Sequence, residues 1–140
     1  MFGIMNEPHD MPSAALWADT VQAVVTAIRG AGAISQTILL PGTSWSAAGA
    51  MLVDGSAVDL LAVRNPDGST DGLVFDVHKY MDFDNSGTHA ECVTNNIASD
   101  FAPFAAFLRR HGRRALLTEA GGGNVPSCVK YFCEMVAFLK

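Results

Sequence analysis

Glu7 lies in the tripeptide Asn6-Glu7-Pro8, directly after the apolar run Phe2 to Met5, and Glu119 follows Ala115 to Leu117 and Thr118. Both runs have the composition of short strands, which places each carboxyl at a strand's C-terminal end. In parallel βα architectures, chemistry collects at that end. Two facing carboxyls can do one particular job there. One protonates the oxygen leaving an acetal carbon, and the other works on that carbon from the opposite side. Polar residues at strand ends are also common without any such role, so spacing alone leaves two surface glutamates as the other reading.

Other residues could complete such a site. Asn6 can hydrogen-bond a sugar hydroxyl. Pro8 biases Glu7 toward extended geometry. His78 and Tyr80 are two apart after the apolar run Leu73 to Val77, so in an extended segment they point the same way. A tyrosine hydroxyl there can donate to a nucleophilic carboxylate and keep it ionised; packing at the sheet edge is the alternative. Trp45 follows the strand-ending Pro41-Gly42, where an indole can stack on a sugar face or anchor its loop. Trp17 reads as helix packing. His89-Ala90-Glu91 matches half of a zinc deaminase signature, but Cys128 and Cys133 are too widely spaced for the other half. No dinucleotide fingerprint, phosphate loop or G-x-S-x-G elbow is present.

The elements that must position these groups alternate strand and helix. Phe2 to Met5 reads as a strand. Ser13 then caps a helix whose Val21, Val24, Val25 and Ile28 share one face, closed by Arg29 and Gly30. Thr37 to Leu40 is a second strand, with a short helix from about Ala57 to Val63 and a turn at Asn65-Pro66-Asp67-Gly68. Leu73 to Val77 is a third strand, followed by a polar loop from Asp82 to about Asn96. Ala102 to His111 is a helix ended by Gly112, and Ala115 to Leu117 a fourth strand. Gly121-Gly122-Gly123 reads as a flexible loop. Ser127 caps a last helix with Val129, Phe132, Val136 and Lys140 on one face. Four βα units imply α/β architecture with a parallel sheet. A complete (β/α)8 barrel takes about 250 residues, so four units amount to half a barrel or a small open sheet.

The chain has 140 residues, 49% apolar and 16% charged, a globular composition large enough for one core. No apolar stretch approaches the roughly 20 residues of a membrane span. A net charge of −5 without basic blocks argues against nucleic acid as a partner. There is no signal-peptide pattern, and both termini read as interrupting an element, which suggests a piece of a longer protein. Three cysteines, Cys92, Cys128 and Cys133, are an odd number, open to a free thiol, a lost partner or buried apolar filling.

Four ordered motifs bring these residues together: Ile4-Met5-Asn6-Glu7-Pro8-His9-Asp10, Asp76-Val77-His78-Lys79-Tyr80, Gly87-Thr88-His89-Ala90-Glu91-Cys92 and Leu117-Thr118-Glu119-Ala120-Gly121-Gly122-Gly123-Asn124. In this order and spacing they closely resemble glycoside hydrolase family 5, and most of all its fungal endo-β-1,4-glucanase (cellulase) branch, over essentially the whole chain. The resemblance implies a (β/α)8 TIM-barrel fragment, approximately strands 4 to 7 with their helices, and residues 1–140 as a partial catalytic domain. It implies Glu7 as acid/base, Glu119 as nucleophile, Asn6, His78, Tyr80 and Trp45 as substrate-binding, and a retaining mechanism.

The same resemblance implies a Cys92–Cys128 disulfide, with Cys133 the partner of a cysteine beyond this chain. It implies secretion and a cellulose or β-glucan substrate; no metal or cofactor is expected, and the charge and apolar pattern above argue against a nucleic-acid or membrane partner. Family elements outside the four units include the remaining strands and an arginine, a histidine and a tryptophan of the site. An open sheet cut from a barrel exposes edges and apolar faces, so the isolated chain is expected to be aggregation-prone, poorly stable or paired with another copy, and catalytically weak or dead. The rival readings are a glucan-binding remnant without turnover and an unrelated nucleotide-binding α/β domain, the latter lacking any phosphate loop.

Overall fold

A computed structural model describes all 140 residues, Met1–Lys140. Strands β1 (Phe2–Gly3), β2 (Ile38–Pro41), β3 (Leu73–Tyr80) and β4 (Ala115–Gly121) form one parallel sheet in the order β1-β2-β3-β4. Helices α1 (Ala14–Gly30), α2 (Ser56–Asp59), α3 (Ala102–His111) and α4 (Pro126–Leu139) each follow a strand. A 3-10 turn, Leu60–Ala62, extends α2, and a π-helical turn, Ile97–Phe101, leads into α3. The curled four-stranded sheet matches part of a (β/α)8 barrel.

Alternation along the strands separates two faces. Ile38 and Leu40 of β2, with Leu73, Phe75 and Val77 of β3, pack into the core under the helices. Leu39, Val74, Asp76 and His78 take the opposite parity. Helix α1 joins the core through Trp17, Val21 and Val25, and the Trp17 indole N–H donates to the Pro41 carbonyl at 2.7 Å. Its start is as expected, the Ser13 hydroxyl accepting from the Leu16 N–H. Its end is not: Gly30 is helical, and Gly32, at φ +90°, makes the left-handed exit. Arg29 does more than close the helix. Buried, it donates to Asn65 Oδ1 and the Ala33 and Gln36 carbonyls, tying the helix end to the turn before β3.

Three further expectations are corrected. Helix α4 begins at Pro126, so Ser127 lies inside it rather than capping it. The Ser127 hydroxyl instead accepts from the Cys92 N–H and donates to Glu91. The α4 face that packs is Cys128, Tyr131, Phe132 and Met135, while Val129 and Val136 are exposed. Apolar residues on both sides of that helix made its periodicity ambiguous. The three glycines after Glu119 are packed rather than flexible. A Cβ at Gly121 would lie 2.3 Å from the Tyr80 ring, at Gly122 2.7 Å from Cys92 Sγ, and at Gly123 2.2 Å from the Ala90 carbonyl oxygen.

Candidate active site

β3 runs three residues past the apolar stretch, so Asp76, His78 and Tyr80 follow one another at alternate positions on the open face. The β3–β4 register then shifts: Val77 pairs with Leu117, but His78 pairs with Glu119. Thr118 is the extra residue of a bulge, a feature that re-aims side chains beside functional sites. Without it, parity would turn either Thr118 or Glu119 toward the helices. With it, two consecutive residues serve the open face. The Thr118 hydroxyl donates to Asp76 Oδ1, and Glu119 reaches the rim.

Glu7 arrives from the other edge, four residues beyond the end of β1. It is not extended as Pro8 suggested. It sits at φ +46°, a left-handed conformation costing about 1–3 kcal/mol for such a residue. Here the turn that delivers the carboxyl overrides the local preference. Trp45 is held in a similar way. Ser44, Trp45 and Ser46 are all left-handed, at φ +57°, +58° and +54°. The Trp45 N–H donates to the Pro8 carbonyl, the Ser46 carbonyl accepts from the His78 N–H, and the Ala48 N–H donates to the His78 carbonyl. One strained loop thus fastens both the Glu7 turn and β3.

These elements bring together Glu7, His78, Tyr80, Glu119 and Trp45. His78 Nδ1 lies 3.0 Å from Glu7 Oε1 and 3.7 Å from Glu119 Oε2, beneath the cleft floor. An oxygen of Glu7, one of Glu119 and the His78 nitrogen all fall within 4.8 Å of one another. The Tyr80 hydroxyl donates to Glu119 Oε1 at 2.8 Å. That bond, then burial and the charges of Glu119 and Glu7, raise the Tyr80 pKa, so the phenol stays protonated and keeps donating. Trp45 is half-exposed, with His9 stacked at 4.9 Å on one face of its indole. Asn6 is exposed on the turn before Glu7 and does not line the cleft.

The cleft, about 430 Å³, is closed on one side by Asp84, Asn85 and Ser86, residues the sequence marked only as polar loop. Asp82 organises that loop. Burial opposes its ionisation, but the Gly87 and His89 N–H groups, the His89 ring and the Ser86 hydroxyl outweigh it and hold its pKa down to about 2. Asp82, Asp84 and His89 bring donors within 4.8 Å of one another, yet the oxygens of Asp82 are already occupied by the loop's own N–H and O–H groups. Cys92 and Cys128 form a disulfide that joins the loop's far end to α4, and Cys133 is free and exposed. The bonded Cys128 removes the sulfur pair a zinc deaminase would need.

Fold and site together define part of a (β/α)8 barrel with a carboxylate pair on its C-terminal rim. The family model for cellulases, glycosyl hydrolase family 5, matches residues 1–140, and the chain belongs to that family. It is 62% identical over 138 residues to Endoglucanase EG-II of Hypocrea jecorina, covering 99% of this chain and 33% of that protein. It is 48% identical to the Manganese dependent endoglucanase Eg5A of Phanerodontia chrysosporium, covering 100% of this chain and 36% of the relative. The crystal structure of Cel5A (EG2) from H. jecorina superposes with TM-score 0.97 at 61% identity, over 99% of this chain and 42% of that one. XacCel5A in complex with cellopentaose aligns with TM-score 0.88 at 32% identity, over 99% of this chain and 44% of that one. The chain thus spans about a third of the length of the curated relatives it matches.

Proposed function

We propose that residues 1–140 are part of the catalytic domain of a secreted endo-β-1,4-glucanase, which cleaves internal bonds of cellulose or β-glucan with retention at the anomeric carbon. One observation carries this reading: an oxygen of Glu7 and one of Glu119 lie within 4.8 Å of each other. Retaining glycosidases hold their carboxyls roughly 5–5.5 Å apart, inverting ones roughly 6.5–9.5 Å, because inversion needs room for a water between.

The roles follow from the environments. Glu119, held by the Tyr80 hydroxyl, attacks the anomeric carbon as a carboxylate. Glu7 gives its proton to the departing glycosidic oxygen, leaving a glycosyl ester on Glu119. Glu7, now a carboxylate, then takes a proton from the incoming water, and that water's oxygen displaces Glu119. Trp45, which lines the cleft, supplies an apolar face for a sugar ring. Endoglucanase relatives and the cellopentaose complex of XacCel5A support β-1,4-glucan as ligand. The disulfide supports an oxidising, extracellular setting.

No metal enters this mechanism. A cation between Glu7 and Glu119 would occupy the oxygens that must attack and donate. Although the P. chrysosporium relative is described as manganese dependent, EDTA is expected to leave turnover unchanged here. Loss restored by manganese would contradict that.

The test is hydrolysis of a soluble β-1,4-glucan by the wild-type chain beside Glu119→Gln. Turnover in the wild type that falls by roughly 10⁴-fold or more in the variant, with glucan affinity retained, supports the reading. Equal turnover in both would sink it. Glucan binding without turnover in either would favour a binding remnant.

A further inference from the structure

Resting on the glucanase reading above, we propose that His9 is a positioning residue: it covers the face of the Trp45 indole turned from the cleft and holds the ring, so that the cleft face alone takes a sugar. The His9 and Trp45 rings stack with centroids 4.9 Å apart and planes 13° from parallel. Trp45 lines the cleft and His9 does not. Trp45 also borders a separate hollow, of about 350 Å³, whose lining includes Asp10 and Met11, the two residues that follow His9. The imidazole therefore lies on the hollow side of the indole.

Two turns build the stack. Pro8 is fully buried, and its carbonyl accepts from the Trp45 N–H at 3.0 Å. That bond sets the two backbones side by side, one residue before His9 and at Trp45 itself. Glu7 and Asp10, at φ +46° and +55°, bend the chain on either side of Pro8 and His9. His9 Nδ1 lies 2.9 Å from Asp10 Oδ2, a contact that steers the rotation of the imidazole. Trp45 is 51% exposed on its loop, and an indole so placed has several rotamers open to it. The stack on His9 selects the one parallel to the imidazole. A flat ring already set in place loses less freedom when a sugar settles on it, which leaves more of the contact as affinity. The turn that carries His9 also carries Glu7. A sugar laid on Trp45 is thereby held at a set distance from the carboxyl that protonates the departing oxygen.

The experiment is acrylamide quenching of tryptophan fluorescence with a cellopentaose titration, on the Glu119→Gln protein so that the sugar survives, and with His9→Ala or His9→Phe added. Trp17, the other tryptophan, is 6% exposed, so quenching reports Trp45. With His9 in place, cellopentaose is expected to shield Trp45 from the quencher. Without sugar, His9→Ala is expected to raise quenching up to about twofold, since a second face of the ring opens. It should also weaken cellopentaose binding about 2–10-fold, the worth of one aromatic pair, and His9→Phe should restore both. Cellopentaose that binds and leaves Trp45 as quenchable as before overturns the proposal, and this arm decides even where a variant fails to fold. A His9→Ala protein that binds as tightly or more tightly also overturns it; tighter binding would mean that imidazole and sugar compete for one face. Unchanged quenching in sugar-free His9→Ala removes the stack and leaves the glucanase reading standing. Failure of the His9-containing protein to bind cellopentaose at all counts against that reading and takes the sugar platform with it.

Discussion

A single imidazole lies against both carboxylates, and a single phenol against one of them. That asymmetry separates the two glutamates: Glu119 receives a neutral O–H from Tyr80 at 2.8 Å, and Glu7 does not. Tyr80→Phe removes the donor and is expected to lower kcat by roughly 10–100-fold, equivalent to about 1.4–2.7 kcal/mol; an unchanged kcat would remove Tyr80 from the site. Its raised pKa has a definite sign. The protonated form is favoured in the folded state, so the bond's contribution is fully present below the unfolded value of roughly 10 and is lost as pH rises through the folded value. Trp45→Ala is expected to weaken glucan binding about tenfold, or about 1.4 kcal/mol, without abolishing turnover, measured by titration on the Glu119→Gln protein. Glu7, Glu119, His78, Tyr80 and Trp45 could be proposed from the sequence because strand ends and motif order mark them, and the fold brings these five together. His9, stacked on Trp45, could not: its partner is distant in the chain, and no local spacing announces such a pairing.

At the scale of elements, the site is held by irregularities: a bulge at Thr118, a run of left-handed residues at Ser44 to Ser46, and glycines where chains nearly touch. These features depend on partners tens of residues away, so propensity rules gave Glu7 an extended backbone and the glycine run a flexible one. The regular parts were readable. Ser13 as a cap, Val21 and Val25 as core and Gly112 as the end of α3 follow from local pattern alone. Gly123→Ala forces a methyl against the Ala90 backbone, whose carbonyl cannot swing aside like a side chain. A loss of roughly 2–4 kcal/mol in denaturant melts is expected, whereas a flexible glycine would tolerate the change. The cleft loop answers to pH through Asp82. Its carboxyl is held at about 2, so its contribution is present above the unfolded value of roughly 4 and is lost as pH falls through about 2. Asp82→Asn should flatten the acid limb of a stability profile over that window; an unchanged limb would deny the loop this anchor.

Across the molecule, four parallel strands and four helices bring Glu7 and Glu119, more than a hundred positions apart, to one rim. Alternating strand and helix patterns make that parallel order legible. The Cys92–Cys128 bond follows only from family resemblance, since three cysteines permit several pairings. It closes a loop of 36 residues in sequence separation, for which reduction should cost about 3–4 kcal/mol; a thermal melt with and without reductant reads this directly. The claim on which the rest depends is that Glu119 forms the glycosyl ester. Incubating the chain with a 2-deoxy-2-fluoro-β-cellobioside bearing a good leaving group slows breakdown of that ester enough to detect it by peptide mass spectrometry. A fluorocellobiosyl adduct on the peptide containing Glu119, absent in Glu119→Gln, is the expected result. Turnover of a β-1,4-glucan with no adduct, or with the adduct on another carboxyl, would contradict the assignment of Glu119 as nucleophile.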